Sequence, residues 1–370
     1  MRVLAFGTYD ATIHPRVRVL IAGLRAHGHE VRECNEPLAL STEDRVATLR
    51  QLWRLPVPAW RLMSSWRRLI GRARREPRPD FLLVGFLGHF DVLLARLIFR
   101  GVPIVLDHLV SAEETARDRG IGGAFLLRLL ASLDRRAVGA ASVVLVDTEE
   151  HRVLVPHKRF EDTVVVPVGA DGDWFAAATD QIHPPSDVLR VVFFGLYTPL
   201  QGAPVIGEAL GRLADAAVRV TMIGHGQDLT ATRAAAAANQ HVTWHHWVEA
   251  ADLPSVVAAH DVCLGIFGDG TKARRVVPNK VFQGMAAGCA IVTSDTAPQR
   301  RLLGEAAMLV PPGDPDALAA ALLTLAGDRA ELDRMRGRAL AIAREHLSPM
   351  AVTAELVAGL QAQIPPARRA

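Results

Sequence analysis

The amino-acid sequence predicts an α/β protein built from two doubly wound domains. Three observations support this. The chain has 370 residues, whereas one hydrophobic core rarely grows beyond about 250 residues. Short apolar runs alternate with helical patterns along almost the whole chain, which is typical of βαβ units and parallel sheets. One stretch, 176–187, has little apolar periodicity and contains Pro184 and Pro185, which favours an inter-domain linker.

The strand-like runs divide into two series of six. The first series covers 2–6, 29–34, 81–85, 103–107, 142–147 and 163–166. The second covers 188–194, 218–223, 241–247, 262–267, 289–294 and 307–310. Helical patterns lie between them, for example at Pro15–His27 in the first series and at Val277–Ala287 in the second. Ligands bind beyond the carboxyl ends of strands in such sheets, so two domains facing each other would form a ligand-binding cleft.

The predicted boundaries follow from these series. We expect one Rossmann-like domain over 1–170, a linker over 171–187, and a second Rossmann-like domain over 188–345. The remaining helical stretch, 346–370, is expected to return to the first domain.

Composition excludes several protein classes. Half of the residues are hydrophobic and 22% are charged, as in ordinary globular proteins. The formal net charge is only +3, so no nucleic-acid partner is predicted. No apolar run approaches the roughly 18 residues needed to cross a bilayer, and the N-terminus reads as a buried strand. The cysteines Cys34, Cys263 and Cys289 are far apart, which indicates unpaired buried thiols in a reducing cytoplasm.

Lysine is scarce, and its positions are uneven. Of the 42 basic residues, only Lys158, Lys272 and Lys280 are lysine. A GC-rich coding genome would explain the scarcity. It does not explain why two of the three lysines lie within nine residues of each other.

One basic segment interrupts the alternation of strands and helices. Between Arg45 and Arg78 there are ten arginines and no lysine, and Pro56 and Pro58 divide the segment. After Pro58, the residues Trp60, Met63, Trp66, Leu69 and Ile70 recur at spacings of three and four. Such a helix can pack on the sheet with a solvated charged face. It can also lie on the anionic inner face of a membrane, so peripheral membrane contact through 45–78 is the alternative.

The segment with the clearest chemistry runs from Gly265 to Cys289. A strand ends, a glycine-containing loop carries Lys272, Arg274 and Arg275, and a helix begins near Pro278 with Lys280 in its first turn. The helix dipole disfavours a cation there. Four positive charges at a helix N-terminus are reasonable if a diphosphate neutralises them. The alternative is a solvated charged loop.

Several motifs in order make the chain resemble a retaining glycosyltransferase of family 4, with the GT-B fold. They are the opening glycine turn, Phe194-Gly195 through Gln201-Gly202, Pro278-Asn279-Lys280 through Ala286-Ala287-Gly288, and Gly304-Glu305 through Gly313-Asp314. The resemblance covers nearly the whole chain, and it implies that the domain over 1–170 binds the acceptor and the domain over 188–345 binds the nucleotide sugar. It implies transfer of a sugar from a nucleotide-diphosphate sugar with retention of configuration, without a cofactor or metal.

The sequence departs from the family pattern at four positions. The family often has an arginine and a lysine that bind the donor diphosphate, and here those positions hold Leu196 and Gln201. It also tends to have two glutamates, and here those positions hold Arg275 and Gln283. We therefore expect Lys272, Arg275 and Lys280 to bind the diphosphate instead.

The resemblance and the strand ends together give the predicted site residues. His108 is expected to contact the donor sugar, Asp107 to orient it, and His89 and Glu114 to bind the acceptor. The predicted donor-binding residues are Gly7, Arg16, Gly195, Gln201, Gly202, Gly224, Lys272, Arg275, Asn279, Lys280 and Gln283.

The acceptor class stays open between a lipid-linked glycan and a secondary-metabolite aglycone. The alternative functions are a GT-B epimerase or phosphorylase and a catalytically inert partner subunit of another transferase.

Overall fold

The computed structural model describes residues 1–11, 14–38, 56–85, 88–109, 111–118, 120–180 and 186–363. Part of the basic segment, 45–55, and the prolines Pro184 and Pro185 lie outside these residues. The described chain divides into two compact units. Unit 1 comprises 1–167 and 349–370, and unit 2 comprises 168–348.

Unit 1 contains a parallel six-stranded sheet in the order β2-β1-β3-β4-β5-β6. Its strands are β1 Arg2–Gly7, β2 Glu30–Asn35, β3 Phe81–Val84, β4 Ile104–Asp107, β5 Val143–Val146 and β6 Thr163–Val165. Its helices are α1 Pro15–Ala26, α2 Pro56–Ala73, α3 Asp91–Ile98, α4 Ala112–Asp118, α5 Ala124–Ala140, α6 Glu149–Arg152 and, at the end of the chain, α15 Pro349–Gln363.

Unit 2 contains a second parallel sheet in the order β12-β11-β10-β7-β8-β9. Its strands are β7 Leu189–Phe194, β8 Val218–Ile223, β9 Val242–His245, β10 Val262–Leu264, β11 Ala290–Ser294 and β12 Ala307–Val310. Its helices are α7 Gly172–Asp180, α8 Ala203–Arg212, α9 Leu229–Ala235, α10 Leu253–Ala258, α11 Asn279–Ala286, α12 Ala297–Leu303, α13 Pro315–Gly327 and α14 Arg329–His346.

The hydrophobic core of unit 1 lies on both faces of its sheet. On one face Val105 of β4 packs with α1 and α15, for example against Val17 and Leu356. On the other face Leu106 packs with α2, α3 and α5, for example against Leu69. Because successive side chains of a strand point to opposite faces, the residues that follow β4 are also divided between the two faces.

The described part of the basic segment, 56–78, differs in burial along its length. The C-terminal half of α2 packs on the sheet, because Leu69 is fully buried and Trp66 donates to Asp91 Oδ1 over 2.9 Å. Near its start, Trp60 and Met63 are 70% and 57% exposed. The predicted packing against the sheet is therefore confirmed for the second half of α2, and the first half keeps an exposed apolar surface.

The three cysteines are buried free thiols, as expected from their positions in the sequence. Among the described helices, none has both the length and the hydropathy needed to cross a bilayer.

Candidate functional site

The strand order of unit 2 reverses between β7 and β10, and this is where such sheets bind ligands. The turn after β7 holds Gly195 and Gln201, and the segment after β10 leads into α11 with Lys280. The structure brings these three residues together. We refer to Phe193, Gly195, Gln201 and Lys280 as the Lys280 site.

The ammonium of Lys280 is buried between neutral groups. The residue is 4% exposed. Its Nζ donates to Gln201 Oε1 over 2.6 Å and lies 3.6 Å from the centre of the Phe193 ring. Burial lowers the pKa of Lys280 to about 7, because the charged form loses its hydration. The amine is thus close to half protonated at neutral pH.

Glycines bring the loops of this edge into backbone contact. A Cβ on Gly202, which has φ +62°, would lie 2.3 Å from the Gly268 nitrogen. A Cβ on Gly224 would lie 1.9 Å from the Gly195 oxygen. Gly202 and Gly224 therefore have packing reasons to be glycine, whether or not they also contact a ligand.

The other predicted residues of this edge differ in burial. Gln283 is 6% exposed and lies one turn after Lys280 on α11. Asn279, the first residue of α11, is half-buried. Lys272 and Arg275, on the loop before α11, are half-buried too. Arg274 is exposed, and its Nε donates to the Asp269 backbone oxygen.

Three aromatic rings that the sequence pattern did not connect lie beyond β8 and β9. His225 and His246 stack with ring centres 4.8 Å apart, and the Trp247 ring lies 6.2 Å from His225. The adjacent strands β8 and β9 bring these rings together, although His225 and His246 come from different loops of the chain. Trp247 is 53% exposed.

At the carboxyl edge of unit 1, Arg16 and Asp107 form an ion pair that the sequence did not predict. Arg16 is 2% exposed, and its Nε donates to Asp107 Oδ1 over 2.6 Å. Its Nη1 donates to the Val166 oxygen over 2.8 Å. Burial raises the pKa of Asp107, and the Arg16 guanidinium opposes that rise. Arg16 thus has an internal ion-pair partner, and its predicted donor contact stays a prediction.

Asp107 does not orient His108, contrary to the prediction. The two residues are consecutive at the end of β4, so their side chains point to opposite faces of the sheet. Asp107 faces α1, and His108 faces His89, whose ring centre is 5.4 Å away. Burial, together with His89 and His151, lowers the pKa of His108 to about 4. His108 is therefore a neutral imidazole at physiological pH.

Asp134 of α5 is the acidic partner that the sequence prediction missed. Its Oδ1 lies 2.8 Å from His89 Nε2, and its oxygens accept from Ala112 N and Glu113 N over 3.1 Å each. Burial alone would raise the pKa of Asp134, but these hydrogen bonds lower it to about 2. A single carboxylate among apolar residues of a helix was the signal that could have identified it.

A second missed pair extends this cluster. His151 Nδ1 lies 2.5 Å from Asp147 Oδ1, and His151 Nε2 lies 4.0 Å from Glu114 Oε2. The i,i+4 spacing of Asp147 and His151 was a readable signal. We refer to His89, His108, His151, Asp134 and Asp147 as the histidine cluster.

Among the described residues, the histidine cluster holds one trio with metal-ligand proximity. His89, His108 and Asp134 each offer one ligand atom, all within 4.8 Å of one another. Asp134 is already engaged by His89 and by backbone N–H groups, so we assign no metal role to it.

Gly7 lies close to a different carboxylate. A Cβ on Gly7 would lie 2.9 Å from Asp91 Oδ2, which also accepts from Thr8 N over 2.6 Å and Thr8 Oγ1 over 2.8 Å. The predicted donor contact at Gly7 stays a prediction, and close packing already requires glycine here.

Comparison with known proteins finds a family match within unit 2. Residues 189–328 match the family described as "Glycosyl transferases group 1". This part of unit 2 is therefore similar to group 1 glycosyltransferases. The match includes β7, the turn with Gly195 and Gln201, and α11. It confirms the resemblance predicted from the motifs of the chain.

Curated relatives match part of the chain. Phosphatidyl-myo-inositol mannosyltransferase of Mycobacterium tuberculosis is 32% identical over 166 residues, which are 44% of this chain and 43% of that protein. The protein of the same name from Mycolicibacterium smegmatis is 31% identical over 191 residues, 50% of this chain and 47% of that one. The matches thus span less than half the length of these relatives.

Solved structures match nearly the whole chain and establish the GT-B fold. Anabaena Alr3699/HepE in complex with UDP and glucose has a TM-score of 0.68 at 16% identity, covering 98% of this chain and 100% of that one. Sucrose-phosphate synthase from Thermosynechococcus elongatus has a TM-score of 0.73 at 13% identity, covering 98% and 99%.

Proposed function

We propose that the protein transfers a sugar from a nucleotide-diphosphate sugar to a hydroxyl of a lipid-linked acceptor, with retention of configuration. The observation that carries the proposal is the Lys280 site. It lies where the strand order reverses, within the part of unit 2 that matches group 1 glycosyltransferases. The buried ammonium of this site belongs to Lys280, in the first turn of α11.

The chemistry of such a transfer suits this edge. The bond between the anomeric carbon and the diphosphate breaks, and a bond to the acceptor oxygen forms on the same face. The departing diphosphate oxygen takes the proton of the acceptor hydroxyl. This reaction needs positive charge on the leaving group and accurate positioning. Lys280, with Lys272 and Arg275 on the preceding loop, would supply that charge.

The rings of His225, His246 and Trp247 support binding of a nucleotide at the same edge. They lie beyond β8 and β9, next to the turn after β7. Flat aromatic surfaces stack on bases, and we propose that this cluster contacts the nucleobase. Gln283 is proposed to hydrogen-bond a ribose hydroxyl.

A lipid-linked acceptor is favoured by two observations. The curated relatives are named phosphatidyl-myo-inositol mannosyltransferases. In unit 1, Trp60 and Met63 are exposed on α2 beside Arg61 and Arg67, a combination suited to an anionic bilayer. The proposed membrane contact is tested by co-sedimentation with phosphatidylglycerol vesicles at low salt. We expect the Trp60→Ser, Met63→Ser variant to lose most of the bound fraction that wild type shows.

The transfer itself is tested with UDP-, GDP-, ADP- and dTDP-linked hexoses, with and without a lipid extract as acceptor. Nucleotide release that requires acceptor supports the proposal. Nucleotide release or donor interconversion without acceptor would indicate an epimerase. If no nucleoside diphosphate raises the melting temperature, the protein would instead be an inert partner subunit of another transferase. That alternative rests on the sequence, because the family often has charged residues that contact the donor at the positions of Leu196, Gln201 and Arg275.

The role of His108 is proposed from the resemblance, as a neutral imidazole that contacts the transferred sugar. We expect His108→Ala to lower kcat at least about 100-fold, within the range for a positioned polar group, while the Kd for nucleoside diphosphate changes less than about threefold. A loss of nucleoside-diphosphate affinity as large as the loss of kcat would contradict a role confined to the transferred sugar.

A further inference from the structure

The Lys280 site contains a buried cation that faces no counter-charge among the described residues. The hydrogen-bond partner of the ammonium is the Gln201 amide oxygen, and its other neighbour is the Phe193 ring. Both groups are neutral. Burial without an ionic partner disfavours an ammonium relative to its neutral amine. The site therefore lacks a negative charge that would stabilise the protonated form of Lys280.

The other elements packed against Lys280 do not supply the missing charge. On β10, the Cys263 thiol lies against the Lys280 backbone oxygen, with Sγ 3.5 Å away. Burial raises the pKa of Cys263 to about 12, so the thiol is neutral. Cys263 is the titratable group that affects the pKa of Lys280, and no carboxylate among the described residues raises that pKa.

The surroundings of the ammonium favour an anion and not a neutral ligand. Lys280 is in the first turn of α11, where backbone N–H groups point outward. Pro278 precedes that helix without a side-chain cap. A Cβ on Gly195 would lie 3.3 Å from Lys280 Nζ, so the absence of a side chain at this position lets the ammonium lie close to the turn after β7. An anion bound at the start of α11 would meet both the N–H groups and the amine.

We propose that Lys280 takes up a proton when the donor diphosphate binds, so that nucleotide-sugar binding by this protein is coupled to protonation. The inference rests on the proposed function and names the proton acceptor, Lys280 Nζ. The proton comes from the solvent buffer, and no other bond changes. The phosphates of a nucleotide sugar are diesters, which do not titrate near neutral pH, so uptake reports on the protein.

The pH dependence of the uptake has a defined direction. The free amine has a pKa of about 7, and the bound diphosphate raises it. Uptake is then small at pH 6, where Lys280 is already charged, about half a proton at pH 7, and approaches one proton at pH 8. The affinity for nucleotide sugar falls accordingly as pH rises from 6 to 9.

The experiment is isothermal titration calorimetry of the full chain with the nucleotide sugar that binds most tightly in the panel. Each titration is run in PIPES, HEPES and Tris, which differ in ionisation enthalpy, at pH 6, 7 and 8. The slope of observed enthalpy against ionisation enthalpy gives the protons taken up. For the wild-type protein we expect a proton uptake that is small at pH 6, about half a proton at pH 7 and close to one proton at pH 8.

The three lysines of the chain provide matched variants. Lys280→Met keeps a similar length without the amine, and we expect no uptake and a Kd raised about 10- to 100-fold, as for loss of a charged hydrogen bond. Lys272→Gln should weaken binding and keep the uptake. Lys158→Gln, an exposed residue of unit 1, should change neither.

Two results would overturn the inference. Uptake near zero at pH 8 in a wild-type protein that binds nucleotide sugar refutes it and leaves the proposed function intact. Uptake that persists in Lys280→Met assigns the proton elsewhere. If wild type binds no nucleotide sugar, the proposed function fails first. The melting temperature of unliganded Lys280→Met shows whether the variant folds, and we expect it to be higher than that of wild type.

Discussion

Among the described residues, each unit buries one long cation at the carboxyl edge of its sheet, and the two cations differ in their partners. In unit 1, Arg16 contacts the carboxylate of Asp107 and the Val166 oxygen. In unit 2, Lys280 contacts an amide oxygen and an aromatic ring. The charge of Arg16 is balanced within the chain. The charge of Lys280 is not balanced by the described residues, and this difference is the basis of the proposal that Lys280 binds an anionic ligand.

The comparison also shows why residue type alone is a poor guide. Arg16 and Lys280 both follow glycine-containing turns, and the sequence predicted both as donor contacts. Only burial together with partners distinguishes them, because a buried charge must be neutralised from inside the chain or by a ligand.

The largest expected effect breaks the balanced pair. Asp107→Asn leaves the Arg16 guanidinium buried without a counter-charge, which should lower the free energy of unfolding by about 3–5 kcal/mol. Thermal melting and urea unfolding of the full chain measure it. The double variant Arg16→Met, Asp107→Leu is the control and should recover most of the loss. A single variant as stable as wild type would place the guanidinium in contact with water.

The second prediction concerns how the contribution of Lys280 to the free energy of unfolding depends on pH. Because the folded-state pKa of Lys280 is about 7 and the unfolded value is about 10.4, the unfolded chain binds more protons between these values. Between pH 7 and 10, Lys280 should therefore contribute a gain in the stability of the unliganded protein, by at most about 1.4 kcal/mol per pH unit.

The matched control for this pH dependence is Lys280→Met, whose stability should lack that gain. The measurement is the difference in free energy of unfolding between the two proteins at pH 7, 8 and 9. A difference that is independent of pH would mean that Lys280 keeps an ordinary pKa.

The smallest expected effect concerns a pair at the surface in which the cation is mostly exposed. Arg68 of α2 donates to Glu36 over 2.9 Å, and its side chain is 54% exposed. Such pairs contribute about 0.2–1 kcal/mol. Arg68→Ala should therefore lower the free energy of unfolding by less than about 1 kcal/mol, and high salt should remove most of the difference. A loss comparable with that of Asp107→Asn would contradict the contrast between buried and exposed charge.

Much of the fold was readable from the sequence because it depends on local patterns. Apolar runs and turn residues predicted the strands of both sheets, with ends that differ by a few residues from the observed ones. The predicted run 262–267, for example, is a strand only over Val262–Leu264, since the regular pairing with its neighbours ends at Leu264.

The site was less readable because its contacts join distant positions. Gln201 and Lys280 are 79 positions apart, and no periodicity relates them. Asp107 was assigned to His108 because the two are adjacent in sequence, although alternation along a strand separates them. Asp134 was missed because its partner His89 belongs to a different part of the chain. Roles that depend on a bound donor or acceptor, such as those of Asn279 and Gln283, stay predictions.

The central claim is that Lys280 is a buried amine without a counter-charge among the described residues, and that a bound diphosphate supplies this charge. Only three lysines are present, so selective isotope labelling of lysine gives three side-chain signals, which Lys280→Met and Lys158→Gln assign. The most direct measurement is the titration of the Lys280 signal by NMR, with and without nucleotide sugar. We predict a pKa near 7 in the free protein and a clearly higher value in the complex. An ordinary lysine pKa in the free protein, or one that nucleotide does not change, would contradict the account.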